Sequence, residues 1–174
     1  KKKAAKLCSE FPIHRRFLDH VIADLEAIAI DRIPLRQCLV HGDFHARQVI
    51  VRRPAPADRE QPRVTIVDLD ELAFGEPAAD LASFIVDLAC SELPHGLVRR
   101  MAQVLVENYR AASGFPLPDA SLDWYITVQL ITKAARFQIQ RQPGLESRVA
   151  RLMTAVDVVL TRLHGATGDD HVSH

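Results

Sequence analysis

The sequence has few cysteines and no excess of charge of either sign. Cys8, Cys38 and Cys90 are widely spaced and form no C-x-x-C pair, so nothing in them indicates a zinc or redox centre. Lysine plus arginine and aspartate plus glutamate number 22 each, so no overall field favours nucleic acid or an anionic membrane as a partner. No apolar run approaches the ~18 residues of a membrane span, and no signal-type stretch follows the first lysines. We therefore expect a soluble cytoplasmic protein with reduced thiols.

The length and the hydrophobic pattern predict one mainly helical domain. A chain of 174 residues with 48% hydrophobic residues can bury a single core. Short β-branched runs separated by glycine and proline occupy the first half, and helical periodicity occupies the second half. We predict helices at 11–30, 78–90, 95–113, 119–141 and 145–164, with Ser9 as a possible N-cap and Gly165 as the last stop, and strands at 37–40, 48–52 and 64–69.

The string HGDFHARQVI, residues 41–50, places polar side chains between two apolar runs. We predict that Asp43 lies in the loop after the first strand, that Gln48 opens the second strand, and that Asp68 ends the third. Strand ends hold side chains rigidly, and carboxylate and amide oxygens are ligands that Mg²⁺ prefers. One carboxylate that contacts a hydroxyl nucleophile, with a second carboxylate and an amide that hold Mg²⁺, suits phosphoryl transfer from a nucleotide.

The spacing of these residues also resembles a known family. The pattern His41-Gly42-Asp43-x-x-x-x-Gln48, followed by Ile66-Val67-Asp68 and by Gly75-x-x-x-x-Asp80-Leu81-Ala82, resembles the aminoglycoside phosphotransferase and choline kinase-like family. The resemblance runs from residue 38 to about residue 90. It implies the α+β, mainly α fold of a protein-kinase-like C-terminal lobe, with a short catalytic-loop β-hairpin and about five helices.

The resemblance further implies the roles of five side chains. Asp43 matches the catalytic aspartate that positions the acceptor hydroxyl, and His41 and Asp80 match residues that brace its loop. Gln48 and Asp68 match the Mg²⁺ ligands, although most members carry asparagine where this chain has the longer glutamine. The implied cofactors are Mg²⁺ and ATP or GTP, and the implied partner is a small molecule with an acceptor hydroxyl, which the sequence does not identify.

The chain lacks the sequence signals of a nucleotide-covering lobe. No glycine-rich loop and no V-A-I-K-like strand precede residue 37. We expect residues 1–174 to form a C-terminal lobe, with the catalytic and metal loops at 38–80 and a helical remainder at 81–165. The missing N-terminal lobe would then be supplied in cis or in trans, and the start at a lysine rather than methionine hints at a longer chain. An uncovered apolar face could also support a homo-oligomer.

Other interpretations of the same residues remain open. A non-catalytic, pseudokinase-like module that binds a ligand or a protein is the main alternative to an enzyme. The pattern His41-x-Asp43 also resembles the start of a two-histidine, one-carboxylate iron site, in which His95 or His164 would be the third ligand. We interpret His45 as a polar loop residue. Nine acidic side chains between residues 58 and 92 would suit Mg²⁺, a cationic acceptor or solubility.

Overall fold

The structure is a computed structural model, and it describes residues 9, 12–31, 37–52, 62–140 and 144–168. These residues form helices and two small antiparallel sheets, which confirms the α+β, mainly α class. The helices are α1 (Arg15–Asp31), α2 (Pro77–Ala89), α3 (His95–Ser113), α4 (Asp119–Ile139) and α5 (Leu145–Gly168), and the strands are β1 (Cys38–Val40), β2 (Val49–Arg52), β3 (Arg63–Ile66) and β4 (Ala73–Gly75).

The chain divides into two compact units. One unit is Arg36–Pro116, and the other combines Lys1–Leu35 with Leu117–His174. The first unit holds all four strands with α2 and α3, and the second holds α1, α4 and α5. The five side chains to which the resemblance assigns a catalytic, metal or bracing role therefore belong to Arg36–Pro116.

The unit Arg36–Pro116 is built on two strand pairs. Strand β1 pairs antiparallel with β4, placing Val40 opposite Ala73, and β2 pairs antiparallel with β3, placing Val49 opposite Ile66. Helix α2 begins at Pro77, whose fixed φ suits the first helical position, and it buries the face that carries Leu81. The two pairs thus bring the two ends of the Asp43 loop, at Val40 and Val49, opposite the two ends of the segment that carries Asp68, at Ala73 and Ile66.

The other unit is held by apolar side chains at helical spacing. On α5, Val149, Val156 and Leu163 lie seven residues apart and are fully buried, and α5 packs along α4. On α1, Leu18 and Val21 are fully buried as well. Burial of each such side chain contributes roughly 1.5–3 kcal/mol, so these apolar side chains stabilise the unit.

Several predicted boundaries are wrong. Gln48 ends a 3₁₀ turn instead of opening a strand, and Asp68 lies two residues beyond the end of β3. Strand β4 was not predicted, because a three-residue strand carries too little periodicity to be recognised.

Two predicted helix signals also fail. A 3₁₀ turn at Pro12–His14 precedes α1, so Ser9 does not cap the helix that begins at Arg15. Helix α5 continues through Gly165 to Gly168, since one glycine costs only ~1 kcal/mol in a helix. By contrast, Gly114 adopts the left-handed conformation that ends α3, as predicted. The ends of the predicted helices at residues 11 and 141 lie outside the described residues.

Within the part of the chain that the structure describes, no helix has the length and hydropathy that a transmembrane segment needs.

Candidate active site

The loop after β1 is tied to α2 by one carboxylate. Asp80, in the first turn of α2, accepts the backbone N–H of His41 at Oδ2, 2.6 Å away, and that of Gly42 at Oδ1, 3.0 Å away. Hydrogen bonds to an ionised acceptor are stronger than neutral ones, and a negative charge is favourable near a helix N-terminus. The two residues immediately before Asp43 are therefore fixed to a helix.

The imidazole of His41 ties the same loop to the segment that carries Asp68. His41 is buried, and its Nε2 donates to the carbonyl oxygen of Val67 at 3.0 Å. Because a carbonyl can only accept, this contact places the proton on Nε2. The sequence motif assigned a bracing role to His41 and Asp80. In the structure, Asp80 binds the backbone of the Asp43 loop, and His41 binds the segment that carries Asp68.

Gly42 lies where the loop meets the turn that follows Asp68. Its φ is +86°, and a Cβ atom at this position would collide with the backbone carbonyl oxygen of Glu71. A side chain would therefore meet both an unfavourable backbone conformation and a rigid obstacle. Glycine is needed here so that the two loops can approach each other.

The second pair of predicted residues is Gln48 and Asp68, twenty positions apart in sequence. Gln48 is 8% exposed, and its Nε2 donates to Oδ2 of Asp68 at 2.7 Å. The backbone N–H of Val67 donates to the carbonyl of Gln48 at 3.0 Å, which extends the contact between the β2 and β3 segments. The structure therefore brings together the amide and the carboxylate that the sequence assigned to one metal site.

The backbone at Asp68 is unusual. Its φ is +63°, and it is the one non-glycine residue with positive φ among the described residues. Aspartate tolerates this left-handed conformation better than most side chains, but such residues occur mainly at turns and functional sites. The conformation turns the chain sharply after β3 and directs the carboxylate of Asp68 to Gln48.

Asp43 itself is partly exposed, with 36% of its side chain accessible. Its Oδ2 lies 3.8 Å from Nε2 of His45, whose side chain is only 14% exposed. Phe44, between them in sequence, stacks on Phe84 of α2 with ring centroids 5.0 Å apart. The loop is thus anchored through Phe44, while the carboxylate of Asp43 remains accessible to a small molecule.

The contacts of Phe44 and His45 were not predicted from the sequence. A lone aromatic residue inside the polar string HGDFHARQ was the available signal for Phe44, because such a side chain is unfavourable in water and indicates an anchor. No comparable signal marked His45 as largely buried.

Two further ionisable groups lie near Asp80. Burial, and secondarily the charge of Asp80, raise the pKa of the Cys38 thiol. Burial also raises the pKa of Tyr109 on α3; a hydrogen bond with Ser113 opposes this rise, and Cys38 and Asp80 reinforce it. Both shifts favour the neutral form of the group.

The donor set suits magnesium better than a transition metal. Among the described residues, no group of three or more histidine, cysteine, aspartate or glutamate side chains is arranged to hold a metal ion, so the two-histidine, one-carboxylate iron site is not formed there. Mg²⁺ needs no such group, because it is usually bound by one or two carboxylates, with waters and substrate phosphates as the other ligands. The hard oxygens that Asp68 and Gln48 carry fit that requirement.

Comparison with known proteins agrees with the motif. The model of a family described as the phosphotransferase enzyme family matches residues 4–115 of the 174, more than half of the chain. The matched region includes all four strands, the Asp43 loop and the Gln48–Asp68 pair. No curated protein and no solved structure matches the chain.

Proposed function

Because this chain belongs to the phosphotransferase enzyme family, we propose that it transfers the γ-phosphoryl group of ATP or GTP to a hydroxyl group of a small molecule. The resemblance seen in the sequence is confirmed at the level of the family; the donor, the acceptor and the metal are part of the proposal. The observation that carries it is the 2.7 Å hydrogen bond between Gln48 and Asp68, which puts an amide and a carboxylate at one point beside the Asp43 loop.

In this proposal Asp43 is the catalytic residue. Its carboxylate accepts a hydrogen bond from the acceptor hydroxyl, orients that oxygen toward the γ-phosphorus and receives the proton. The new oxygen–phosphorus bond forms as the bond from the γ-phosphorus to the bridging oxygen breaks, and the nucleoside diphosphate leaves. Alignment and charge neutralisation supply most of the acceleration, since no covalent intermediate on the protein is needed.

Gln48 and Asp68 would hold Mg²⁺. When bound, the ion supplies positive charge that offsets the charge of the phosphates. Asp68 would supply a carboxylate oxygen, and Gln48 would supply its amide Oε1. The burial of Gln48 and the left-handed backbone at Asp68 limit where these two side chains lie.

His41 and Asp80 keep the loop in place in this proposal and do not take part in the chemistry. A nucleotide-covering lobe, supplied in cis or in trans, would complete the site, because the sequence before residue 37 carries none of its motifs. The acidic residues between positions 62 and 92 favour an acceptor that carries a positive charge, such as an amino alcohol or an amino sugar.

The test is a phosphoryl-transfer assay on the protein as its own cells produce it, with Mg²⁺, labelled ATP or GTP, and a panel of cationic and neutral hydroxyl acceptors. We expect Asp43→Asn to lower kcat by roughly 10²–10⁴-fold, the usual contribution of a positioned acid or base. Asp68→Asn is expected to abolish turnover and to remove the Mg²⁺-dependent part of nucleotide binding, whereas Asp43→Asn should keep that binding.

Asp157→Asn is the control for loss of a carboxylate, because Asp157 is an exposed aspartate on α5, outside the acidic stretch at 62–92. It should retain the parental kcat. If the parent protein transfers phosphate to no acceptor, or if Asp68→Asn turns over normally, the proposal is wrong, and a non-catalytic binding module becomes the better account of the same fold.

A further inference from the structure

His45 has an environment that a polar loop residue does not need. Its side chain is largely buried, its Nε2 lies 3.8 Å from Oδ2 of Asp43, and its Nδ1 is buried without a hydrogen-bond partner. Burial of an imidazole with one unsatisfied nitrogen is unfavourable. A functional role for the other nitrogen, Nε2, would explain why a histidine occupies this position.

Neighbouring contacts hold His45 beside Asp43. His45 is extended, with φ −152° and ψ 169°, and its carbonyl accepts the N–H of Gln48 at 2.9 Å, which closes the 3₁₀ turn. Phe44, the residue between His45 and Asp43, stacks on Phe84 of α2 with ring centroids 5.0 Å apart. His45 is thus held by the turn and Phe44 by α2, and the side chains of His45 and Asp43 lie 3.8 Å apart at Nε2 and Oδ2.

The surroundings also select the tautomer of His45. A proton on Nδ1 would leave a buried donor without an acceptor, and it would turn the lone pair of Nε2 toward a carboxylate oxygen. A proton on Nε2 instead directs an N–H dipole at Oδ2 of Asp43, which is electrostatically favourable. The distance of 3.8 Å is longer than a hydrogen bond, and such contacts commonly tighten when substrate binds.

We propose that His45 is a positioning residue for Asp43: its Nε2–H holds Oδ2 of the carboxylate, so that Oδ1 is presented to the acceptor hydroxyl. The inference rests on the proposed function, because it assigns the direction in which Asp43 acts. The proton of the acceptor passes to Oδ1 of Asp43, and His45 neither gains nor loses a proton in the step. Its contribution is to the orientation of the general base and not to substrate binding.

Two substitutions separate this role from simple packing. His45→Leu fills the space but removes the N–H, whereas His45→Gln places an amide Nε2 near the position of the imidazole Nε2. We expect His45→Leu to lower kcat by about 10- to 100-fold, the range for loss of one orienting contact, while KM for nucleotide and for acceptor stays within about twofold. His45→Gln should recover kcat to within about threefold of the parent.

His95→Leu is the control for loss of a histidine, since His95 is exposed at the start of α3. It should leave kcat and KM unchanged. If His45→Leu keeps the parental kcat, or if His45→Gln is as impaired as His45→Leu, the positioning role is overturned while the proposed function stands. A parent protein without transfer activity would overturn both.

Nitrogen-15 NMR of the histidine side chains tests the contact without any turnover. We expect His45 to carry its proton on Nε2, with a proton resonance that shifts on Asp43→Asn and stays in place on Asp70→Asn. An Nδ1-protonated His45, or a resonance indifferent to Asp43, would overturn the inference even if the enzyme is active.

Discussion

At the scale of single residues, Gly42 is a position at which a side chain has no room. Gly42→Ala would place a Cβ against the carbonyl oxygen of Glu71 in a backbone with φ +86°. Gly114→Ala is the matched control, because Gly114 also has positive φ but has open space around its Cβ position. We expect Gly114→Ala to cost about 1 kcal/mol of unfolding free energy and Gly42→Ala to cost at least ~2 kcal/mol. Urea unfolding measures both, and equal costs would show that the clash relaxes freely.

Gln48 is the second residue for which the structure makes a sharp prediction. Asparagine, the residue that the resemblance implies at this position, would withdraw the amide from Asp68 by over ~1 Å, since one methylene is lost. The present contact is 2.7 Å and Gln48 is buried, so the shorter side chain would leave the amide short of hydrogen-bond distance. We therefore expect Gln48→Asn to lower kcat/KM for the Mg²⁺-nucleotide by about tenfold. A rise in activity would show that the loop is built for asparagine and that glutamine impairs it.

The same residues show how much of the candidate site could be predicted from the sequence. Asp43, His41, Asp80, Gln48 and Asp68 were identifiable because their order and spacing form a motif, and the structure joins them as His41 to Asp80 and Gln48 to Asp68. Their catalytic and metal roles stay predictions. The burial of His45 could not be foreseen, because it depends on tertiary packing around the loop and not on the order of residues in the sequence.

At the scale of elements, long periodic segments were predictable and short ones were not. Helix α3 ends where Gly114 predicted, since a left-handed glycine terminates a helix by itself. The 3₁₀ turn that holds Gln48 and the three-residue strand β4 have no sequence periodicity to read. Both are specified by tertiary contacts instead, such as the pairing of Phe74 with Leu39.

The α4–α5 pair offers a pH-dependent prediction at this scale. Asp123 of α4 accepts a hydrogen bond from Arg162 of α5 at 2.9 Å. Burial raises the pKa of Asp123, Arg162 opposes the rise, and Asp119 adds to it. The folded state therefore holds this proton more tightly than the unfolded state. Its contribution to stability is present below the unfolded pKa of about 3.9 and is lost as the pH rises through the folded pKa.

Asp123→Asn removes the charge but keeps an acceptor for Arg162. We expect this variant to be at least as stable as the parent at pH 7, with an advantage that shrinks as the pH falls toward 4. Urea midpoints at both pH values measure it, and Asp157→Asn, which removes an exposed negative charge from α5, is the control. A variant that loses stability at pH 7 but not at pH 4 would show that the ion pair with Arg162 outweighs the cost of burial.

At the scale of the whole molecule, the unusual feature is apolar surface on the strands. Phe74 of β4 is 77% exposed and its cross-strand partner Leu39 is 61% exposed. The β2–β3 pair also exposes large apolar side chains: Ile50, Val51, Val64 and Ile66. Two-stranded sheets are marginal in water unless another layer covers them, and contiguous apolar patches usually mark an interaction surface. This surface is where we expect either a covering lobe or a second copy of the chain to bind.

The 174-residue chain, purified alone, should therefore self-associate through these strands. We expect sedimentation velocity to detect association at tens of micromolar, and the double variant Leu39→Thr with Phe74→Thr to shift it toward monomer, because threonine keeps strand propensity while removing apolar area. Val158→Thr is the control, since Val158 is an exposed apolar residue on α5, outside the strands. If the double variant associates as strongly as the parent while Val158→Thr does not, the contact between copies involves α5 and not the strands. The apolar strand surface would then bind a partner other than a second copy.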